Sequence, residues 1–399
     1  MSLIRKSENL KNVHSDIRGE LYIKALEMEA AGIPVLKLNT GNPAAFGFRM
    51  PESIRTAVTS SLDRALGYCD LRGMLPARQA ILQYHLFRGL RGITENDIFI
   101  GNGVSEVVSM ALTALLNRDD EVLVPSPCYS LWTNSVVLAS GKPVLYCCDE
   151  QAEWNPDIAD IERKITPKTK AIVIINPNNP TGAVYNRETL EKLVAIAKKH
   201  NLVLFSDEIY DRLVLDNIPY TSTAAISQDV TVITMNGLSK SHCACGFRCG
   251  WLVISGPADT AAELREALTT LAALRLCSNA IMQLAIPAAL ADSDYTEKMI
   301  APDGRLSRQR QAACDELDAI DGIRYVKNSA AFYLFPRIDL SRFDFADDHA
   351  FAAGLLEEKH ILTIPGSGFS WEPHDHFRIV ALPEAEVLRN AVHQIGEFL

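Results

Sequence analysis

The chain lacks the features that mark several classes of protein. No uninterrupted apolar stretch reaches the roughly 18 residues that span a bilayer, and residues 1–20 are polar without an apolar signal core. The net charge is −10, and no block of Lys and Arg offers a surface for nucleic acid. These absences predict a cytoplasmic protein that binds neither membranes nor nucleic acid.

Cysteine is present, but its pattern is not that of a disulfide framework. The nine cysteines are an odd number and lie scattered along the chain, unlike those of a small secreted protein. Cys243, Cys245 and Cys249 follow C-x-C-x3-C spacing beside His242, whereas zinc sites usually use C-x2-C spacing and need a fourth ligand. We therefore expect reduced thiols that pack as small side chains, and no metal.

The composition allows a large buried core, since 48% of the 399 residues are hydrophobic and 22% are charged. Six apolar runs fit buried strands, and residues 187–200 between two of them have helical apolar spacing. The runs lie at residues 121–124, 144–147, 171–175, 202–206, 230–235 and 251–254. Strands alternating with helices predict an α/β fold with a largely parallel sheet, whose ligands bind where the strands end.

The two ends of the chain have a different pattern from the middle. We expect an amphipathic helix near residues 19–31, helices near 305–320 and 347–359, and strands near 331–335 and 376–382. These segments predict a smaller α+β domain over residues 291–399, which the N-terminal segment 1–45 joins. Residues 46–290 would then form the large domain.

One lysine and one arginine stand out in a polar, small-residue stretch at residues 239–250. A lysine that forms an imine must lose its proton, and an arginine beside it suggests a bound anion such as a phosphate. Lys240 and Arg248 therefore offer the minimum for pyridoxal phosphate chemistry. Taken alone, the pair is more typical of two solvated surface charges.

Three further segments follow or open predicted elements. Residues 176–182 form a rigid Asn-, Pro- and Gly-rich loop after a strand, and Asp207 with Tyr210 follows the next strand. The loop could be a plain turn, and Asp207 could cap a helix. Residues 101–106 combine two glycines with a probable helix start, which suits a phosphate. This segment lacks the third glycine of a dinucleotide fingerprint, so an NAD-linked dehydrogenase is disfavoured.

Together these segments resemble the class I/II aminotransferases, which are pyridoxal-phosphate enzymes of fold type I. The resemblance extends from the turn at residues 41–43 to residues 376–380, and so covers nearly the whole chain. NPNNPTG at 176–182 and S-K-x7-R-x-G from Ser239 are specific when found together in this order. The resemblance implies a large domain with a mostly parallel seven-stranded sheet and a smaller α+β domain.

The resemblance also implies a catalytic role for Lys240, which would form the imine with the cofactor and move the proton in the reaction. Asp207 would pair with the protonated pyridine nitrogen. Tyr210 and Asn179 would bond the phenolic oxygen of the cofactor. The phosphate and the ring would be held by a further group of residues: Val104, Ser105, Tyr129, Ser239 and Arg248.

Substrate binding and assembly follow from the same resemblance. Arg378 would clamp the α-carboxylate, with Asn179 and the Gly41 backbone alongside. The N-terminal segment with Ile17 and Arg18 would cover the substrate. Tyr68 would reach the phosphate of a partner subunit, which implies a homodimer with its sites at the interface.

Within the family, segments such as LNTGNPAAFGF and HFRIVALP are most similar to bacterial glutamate–pyruvate (alanine) aminotransferases. The expected reaction is ping-pong transfer between glutamate or alanine and pyruvate or 2-oxoglutarate. Ser15, Gly237 and residues 242–245 depart from the family pattern. A branched, aromatic or specialised biosynthetic substrate therefore stays open, as does a fold type I lyase. A distal substrate carboxylate would need a further arginine, for which Arg18 and Arg275 are candidates.

Overall fold

The computed structural model describes residues 4–399. The N-terminal part contains four regular elements: α1 (Glu20–Ala30), β1 (Leu36–Lys37), α2 (Glu52–Thr59) and α3 (Leu75–Phe87). The amphipathic helix predicted near residues 19–31 is present as α1. Leu21 and Ala25, four residues apart on one face of this helix, are buried.

An eight-stranded sheet forms the centre of the fold. In chain order its strands are β2 (Ile98–Asn102), β3 (Glu121–Ser126), β4 (Lys142–Asp149), β5 (Asn155–Pro156), β6 (Thr169–Ile175), β7 (Val203–Asp207), β8 (Val232–Gly237) and β9 (Cys249–Ser255). Their spatial order is β2-β9-β8-β7-β6-β3-β4-β5. The run from β8 to β4 is parallel, whereas β9 and β5 run antiparallel to their neighbours.

The predicted mostly parallel α/β sheet is confirmed, with one strand more than the seven expected. All six apolar runs overlap strands of this sheet. The additional short strand β5 has only two residues and pairs with the end of β4, so it has no apolar periodicity to recognise. Strand β2 was also missed, since only its first three residues are strongly apolar.

Helices cover both faces of the sheet: α4 (Val104–Leu115), α5 (Leu131–Leu138), α6 (Ile158–Lys164), α7 (Arg187–His200) and α8 (Ala262–Leu274). One face packs against Val107 and Leu268, and the other against Leu190 and Leu193. Burial on both faces explains why the strands read as continuous apolar runs. No helix within residues 4–399 is long and apolar enough to cross a membrane.

The C-terminal part has smaller sheets and more helices. Its elements are α9 (Ala280–Gln283), α10 (Ala285–Ala291), α11 (Asp294–Ile300), α12 (Arg305–Leu317), β10 (Ile323–Arg324), β11 (Tyr333–Leu334), β12 (Arg337–Ile338), α13 (Asp348–Lys359), β13 (Ile361–Leu362), β14 (Ile364–Pro365), β15 (Phe377–Val380) and α14 (Ala385–Phe398). Strand β15 lies between β11 and β14, and β1 pairs with β13. That last pairing is expected if residues 1–45 join a C-terminal domain, and the domain boundaries stay predictions.

Candidate functional site

A cavity of about 590 Å³ opens where the parallel strands of the central sheet end. Ile175 and Asp207, the last residues of β6 and β7, form part of its wall. The site residues predicted from the sequence line this cavity, with the exception of Tyr68 and Arg275. They are Ile17, Arg18, Gly41, Val104, Ser105, Tyr129, Asn179, Asp207, Tyr210, Ser239, Lys240, Arg248 and Arg378. The structure therefore brings together segments that are up to 361 residues apart, from Ile17 to Arg378.

Lys240 lies in the loop that follows β8, and its side chain enters the cavity. Its Nζ donates a hydrogen bond to the carbonyl oxygen of Gly41 at 2.8 Å. The amine also lies 6.0 Å from the ring centroid of Phe332. No carboxylate is among these contacts, so the amine has a weak local partner that a ligand can replace.

Asp207 ends β7 as a buried carboxylate facing the cavity. Its oxygens accept hydrogen bonds from Trp132 Nε1 at 3.1 Å and from the Ile209 backbone N–H at 3.3 Å. Burial raises the pKa of Asp207 to about 6, although these bonds and the charge of Lys240 act in the opposite direction. Such a carboxylate suits a cationic partner, such as a protonated pyridine nitrogen.

Arg378 is a buried cation in the wall of the same cavity. Its Nη1 donates to Asn179 Oδ1 at 2.9 Å, and its Nη2 donates to the main-chain oxygen of Asn39. Only 1% of the residue is exposed, and within residues 4–399 its Nε has no hydrogen-bond partner. Burial lowers the pKa of Arg378 from its ordinary value, and the titratable groups that counteract this are tyrosines. An anion entering the cavity would supply the missing countercharge.

Aromatic side chains fix the position of this guanidinium. It lies 4.5 Å from the ring centroid of Tyr333 and 4.7 Å from that of Phe369. The hydroxyl of Tyr333 is 2.7 Å from that of Tyr210. Two phenols and an arginine thus form one connected polar group in the cavity wall.

Another part of the cavity wall offers groups that suit a phosphate. The amides of Val104 and Ser105 begin the twelve-residue helix α4, where backbone N–H groups lack partners within the helix. Gly103 precedes them with a φ of 87°, and a side chain there would collide with the guanidinium of Arg248. The Arg248 Nη1 donates to the Cys245 carbonyl at 2.9 Å, which leaves other donors of the guanidinium for an anion.

This arrangement fits pyridoxal phosphate. An arginine and a helix N-terminus can hold its phosphate, Asp207 can pair with its ring nitrogen, and Lys240 can reach its aldehyde carbon. The buried Asp207 carboxylate and the buried Arg378, whose Nε has no hydrogen-bond partner within residues 4–399, are both costly in a protein without such ligands. Both residues therefore agree with a site that binds charged ligands.

The N-terminal segment contributes to the cavity wall as expected. Ser15, Ile17 and Arg18 line it, and Asn39 Nδ2 donates to the Ile17 carbonyl at 3.0 Å. Cys245 lines it too, with its Sγ 3.2 Å from Asn42 Oδ1. Two of the sites where the chain departs from the family pattern therefore border the substrate space.

Two predicted residues lie outside this cavity. Tyr68 projects from the surface with 83% of the residue exposed. Arg275 donates to the Ile100 carbonyl at 2.9 Å and lies 3.7 Å from a carboxylate oxygen of Glu106. Within the described chain, Arg275 therefore has a structural partner rather than a place at the cavity.

Sequence reasoning missed three residues that shape the site: Asn39, Trp132 and Tyr333. The main-chain carbonyl of Asn39 and the ring of Tyr333 contact Arg378, and the Trp132 side chain donates to Asp207. Trp132 follows the predicted Tyr129 by three residues at the start of α5, a spacing that places both on one side of that turn. Nothing in the local sequence marks Asn39 or Tyr333, because only the folded chain brings them to Arg378.

Comparisons with known proteins agree with this geometry. Residues 33–395 match the family model of the class I and II aminotransferases. The chain is 48% identical over 399 residues to the glutamate–pyruvate aminotransferase AlaA of Haemophilus influenzae, covering 100% of this chain and 99% of that protein. It is 45% identical over 395 residues to the alanine aminotransferase of Mycobacterium tuberculosis, covering 99% and 92%.

Solved structures give the same result. An aminotransferase from Escherichia coli superposes with a TM-score of 0.98 at 47% identity, covering 100% of this chain and 98% of that one. An alanine aminotransferase from Pyrococcus furiosus reaches a TM-score of 0.94 at 37% identity, with 99% of both chains covered. The fold, the cavity and the similarity over the full length lead to one conclusion: this chain belongs to the class I and II aminotransferase family.

Proposed function

We propose that this aminotransferase is a pyridoxal-phosphate-dependent glutamate–pyruvate (alanine) transaminase. The observation that carries the proposal is the buried guanidinium of Arg378, whose Nε has no hydrogen-bond partner within residues 4–399 and which shares one cavity with the Lys240 amine and the Asp207 carboxylate. An amino acid and a 2-oxo acid both bring the α-carboxylate that Arg378 lacks. The names of the relatives at 45–48% identity support glutamate, alanine and pyruvate as the reactants.

Pyridoxal phosphate, when bound, supplies the electron sink that allows an amino acid to lose its α proton. Lys240 is the base that takes this proton and later returns it. The Asp207 carboxylate would keep the ring nitrogen of the cofactor protonated, since a negative charge there favours the cation. Tyr210 and Asn179 would hold the phenolic oxygen, and Arg248 with Val104 and Ser105 would hold the phosphate.

Arg378 orients the substrate by its α-carboxylate, so that the α proton faces Lys240. Asn179 contacts this arginine at 2.9 Å and so acts at both the cofactor and the carboxylate. The same site accepts the amino donor and then the 2-oxo acceptor, which is ping-pong kinetics. Since the donor's product leaves before the acceptor binds, one carboxylate clamp serves both.

The side chain of the substrate would lie near Ser15, Ile17 and Arg18, which form the N-terminal part of the cavity wall. Arg18 is the cation that could receive the second carboxylate of glutamate. Because Ser15 and Cys245 also border this space, a specialised biosynthetic substrate is the second candidate. Branched and aromatic amino acids are further candidate donors, which the panel of donors described below includes.

We also propose that the enzyme works as a cytoplasmic homodimer. The exposed Tyr68 and its apolar neighbours support this assembly, in which each Tyr68 would reach the phosphate held by the other subunit. Family resemblance supports the same arrangement.

A panel of amino donors tests the choice of substrate. Alanine, glutamate, aspartate, valine and phenylalanine would each be assayed with pyruvate or 2-oxoglutarate as acceptor. We expect kcat/KM to be highest for alanine with 2-oxoglutarate and for glutamate with pyruvate. A different best donor would overturn the proposed substrate, and product release without formation of pyridoxamine phosphate would indicate a lyase.

A further inference from the structure

Four charged side chains meet beside the strand that carries Arg378. Glu150 comes from the segment directly after β4, at the edge of the central sheet. Arg337 lies on β12, and Asp375 and His376 directly precede β15. The cluster therefore connects the central sheet to the strand from which Arg378 projects.

The distances within this cluster are short. His376 Nδ1 lies 2.6 Å from Asp375 Oδ1, and its Nε2 lies 3.4 Å from Glu150 Oε1. Arg337 Nε lies 2.8 Å from the other oxygen of Asp375, and its Nη1 lies 3.8 Å from Glu150. Both nitrogens of the imidazole thus face carboxylates: Nδ1 is within hydrogen-bond distance, whereas Nε2 is within ion-pair distance and has no hydrogen-bond partner in residues 4–399. Two facing carboxylates favour the doubly protonated ring.

The charges of the cluster balance only when His376 is a cation. Glu150 and Asp375 contribute two negative charges, and Arg337 contributes one positive charge. His376 is fully buried. Water therefore cannot compensate for the positive charge that is lost when the imidazolium is deprotonated. Loss of the proton would leave one net negative charge on the Glu150 and Asp375 carboxylates, whose side chains are only 20% and 11% exposed.

Aromatic rings connect this histidine to the arginine. The Phe335 ring stacks on His376 with centroids 4.7 Å apart, and Phe369 meets Phe335 at 6.0 Å. The guanidinium of Arg378 lies 4.7 Å from the centroid of Phe369. On the main chain, the Gly366 N–H donates to the His376 carbonyl at 2.7 Å. A shift of His376 would therefore be transmitted to Arg378 through the rings of Phe335 and Phe369.

We propose that His376, as an imidazolium held between Glu150 and Asp375, is a positioning residue that fixes Arg378 for the substrate carboxylate. This inference rests on the proposed role of Arg378 as the carboxylate clamp. It predicts that carboxylate binding weakens when His376 loses its proton, although His376 never touches the substrate.

The pH range follows from the groups that face the imidazole. Asp375 and Glu150 raise the pKa of His376 above its ordinary 6.5, against the effect of burial. Arg337 acts from the surface side of the same cluster, and Asp348 of α13 lies beyond Gly366. Since the folded-state pKa is raised, the contribution of His376 is full below pH 6.5 and is lost as the pH rises through the folded value.

Binding of propionate to the holoenzyme tests this inference, since propionate carries a carboxylate and no titrating amine. Calorimetry would compare the wild type with His376→Gln from pH 6 to pH 9.5. We expect the wild type to bind on the order of tenfold more tightly at pH 6, and the two affinities to converge at alkaline pH. Comparing the two proteins at each pH cancels titrations that they share.

Restoring the charge balance separates positioning from simple packing. The double variant His376→Gln with Glu150→Gln again has one positive and one negative charge, so we expect it to recover much of the affinity without the pH dependence. His393→Gln, at an exposed histidine beside Glu316 and Glu397, is the matched control. Histidine NMR signals of the cofactor-free protein would report the His376 titration independently of activity.

Three results would each overturn the inference: an affinity ratio that stays constant with pH, a double variant as weak as His376→Gln, or a neutral His376 at pH 6. Arg378→Ala distinguishes failure of the proposed function. If that variant binds propionate normally, the carboxylate clamp itself is wrong. If it loses binding while His376→Gln does not, only the positioning role is wrong.

Discussion

Asp207 illustrates a residue whose surroundings oppose its own stability. The carboxylate is buried at the end of β7, and its partners are the neutral donors Trp132 and Ile209. Burial raises its pKa from 3.8 to about 6, so above that pH the folded chain holds a charge in an unfavourable place. A cationic cofactor nitrogen would stabilise the Asp207 charge. Replacing Asp207 should therefore raise the stability of the cofactor-free protein and impair its function.

Asp207→Asn should therefore stabilise the cofactor-free protein at pH 8, by at most about 3 kcal/mol. The stability associated with the raised pKa is present below pH 4 and lost as the pH rises through 6, so the gain should shrink towards pH 5. Urea unfolding at pH 5 and pH 8 measures it, with the surface variant Asp229→Asn as control. The same substitution should weaken cofactor binding. Equal effects at both pH values would contradict the assigned pKa.

The residues that could be recognised from the sequence are those inside short, distinctive segments. Lys240 and Arg248 share one such segment, and Asn179 lies in another. Tyr333 and Asn39 could not be recognised, because their role depends on packing against Arg378 across the fold. Local sequence shows which groups carry the chemistry, but distant residues that orient those groups have no local signal.

At the scale of elements, α7 was predicted with its observed bounds. Its apolar residues recur at helical spacing, Asn186 Oδ1 accepts from the Thr189 N–H at 2.8 Å, and Asn201 ends the helix with a φ of 52°. Strand β2 has only three strongly apolar residues before Gly101, and so had no comparable signal. Helix α7 could therefore be predicted because residues at both of its ends mark its boundaries, whereas strand β2 has no such marks.

Asn186→Ala should lower the free energy of unfolding by about 1 kcal/mol, because it removes the acceptor that caps α7. Unfolding of the cofactor-free protein in urea measures the change. Glu188→Ala, which breaks only an exposed pair with Lys192, should cost no more than about 0.5 kcal/mol. A cap variant as stable as the wild type would show that packing against the sheet alone sets this helix end.

At the scale of the whole molecule, large apolar side chains are exposed in the segment that carries Tyr68 and in a second segment. Leu66 is 84% exposed in the first, and Leu274 is 79% and Leu276 52% exposed in the second. Gln283 joins the two segments, since its Nε2 donates to Cys69 Sγ at 3.4 Å and to Ser278 Oγ at 3.0 Å. Burial of these exposed apolar side chains in an interface would be favourable, which agrees with the proposed homodimer.

Leu274→Asp should shift the protein from dimer to monomer and also weaken cofactor binding, because Tyr68 of one subunit would no longer complete the other site. Sedimentation velocity and a cofactor titration would measure the two effects. Val387→Asp, at a half-exposed apolar residue of α14, should change neither. A monomer that binds the cofactor normally would contradict the role of Tyr68.

Lys240 is proposed to move the proton in the amino-group transfer, and one half-reaction isolates this step. Alanine is mixed with the holoenzyme in the absence of any 2-oxo acid, and pyruvate and pyridoxamine phosphate are both quantified. We predict about one equivalent of each per subunit for the wild type and for Lys192→Ala at the surface, and almost none for Lys240→Ala. Full conversion by Lys240→Ala would contradict the proposed role of Lys240 in proton transfer.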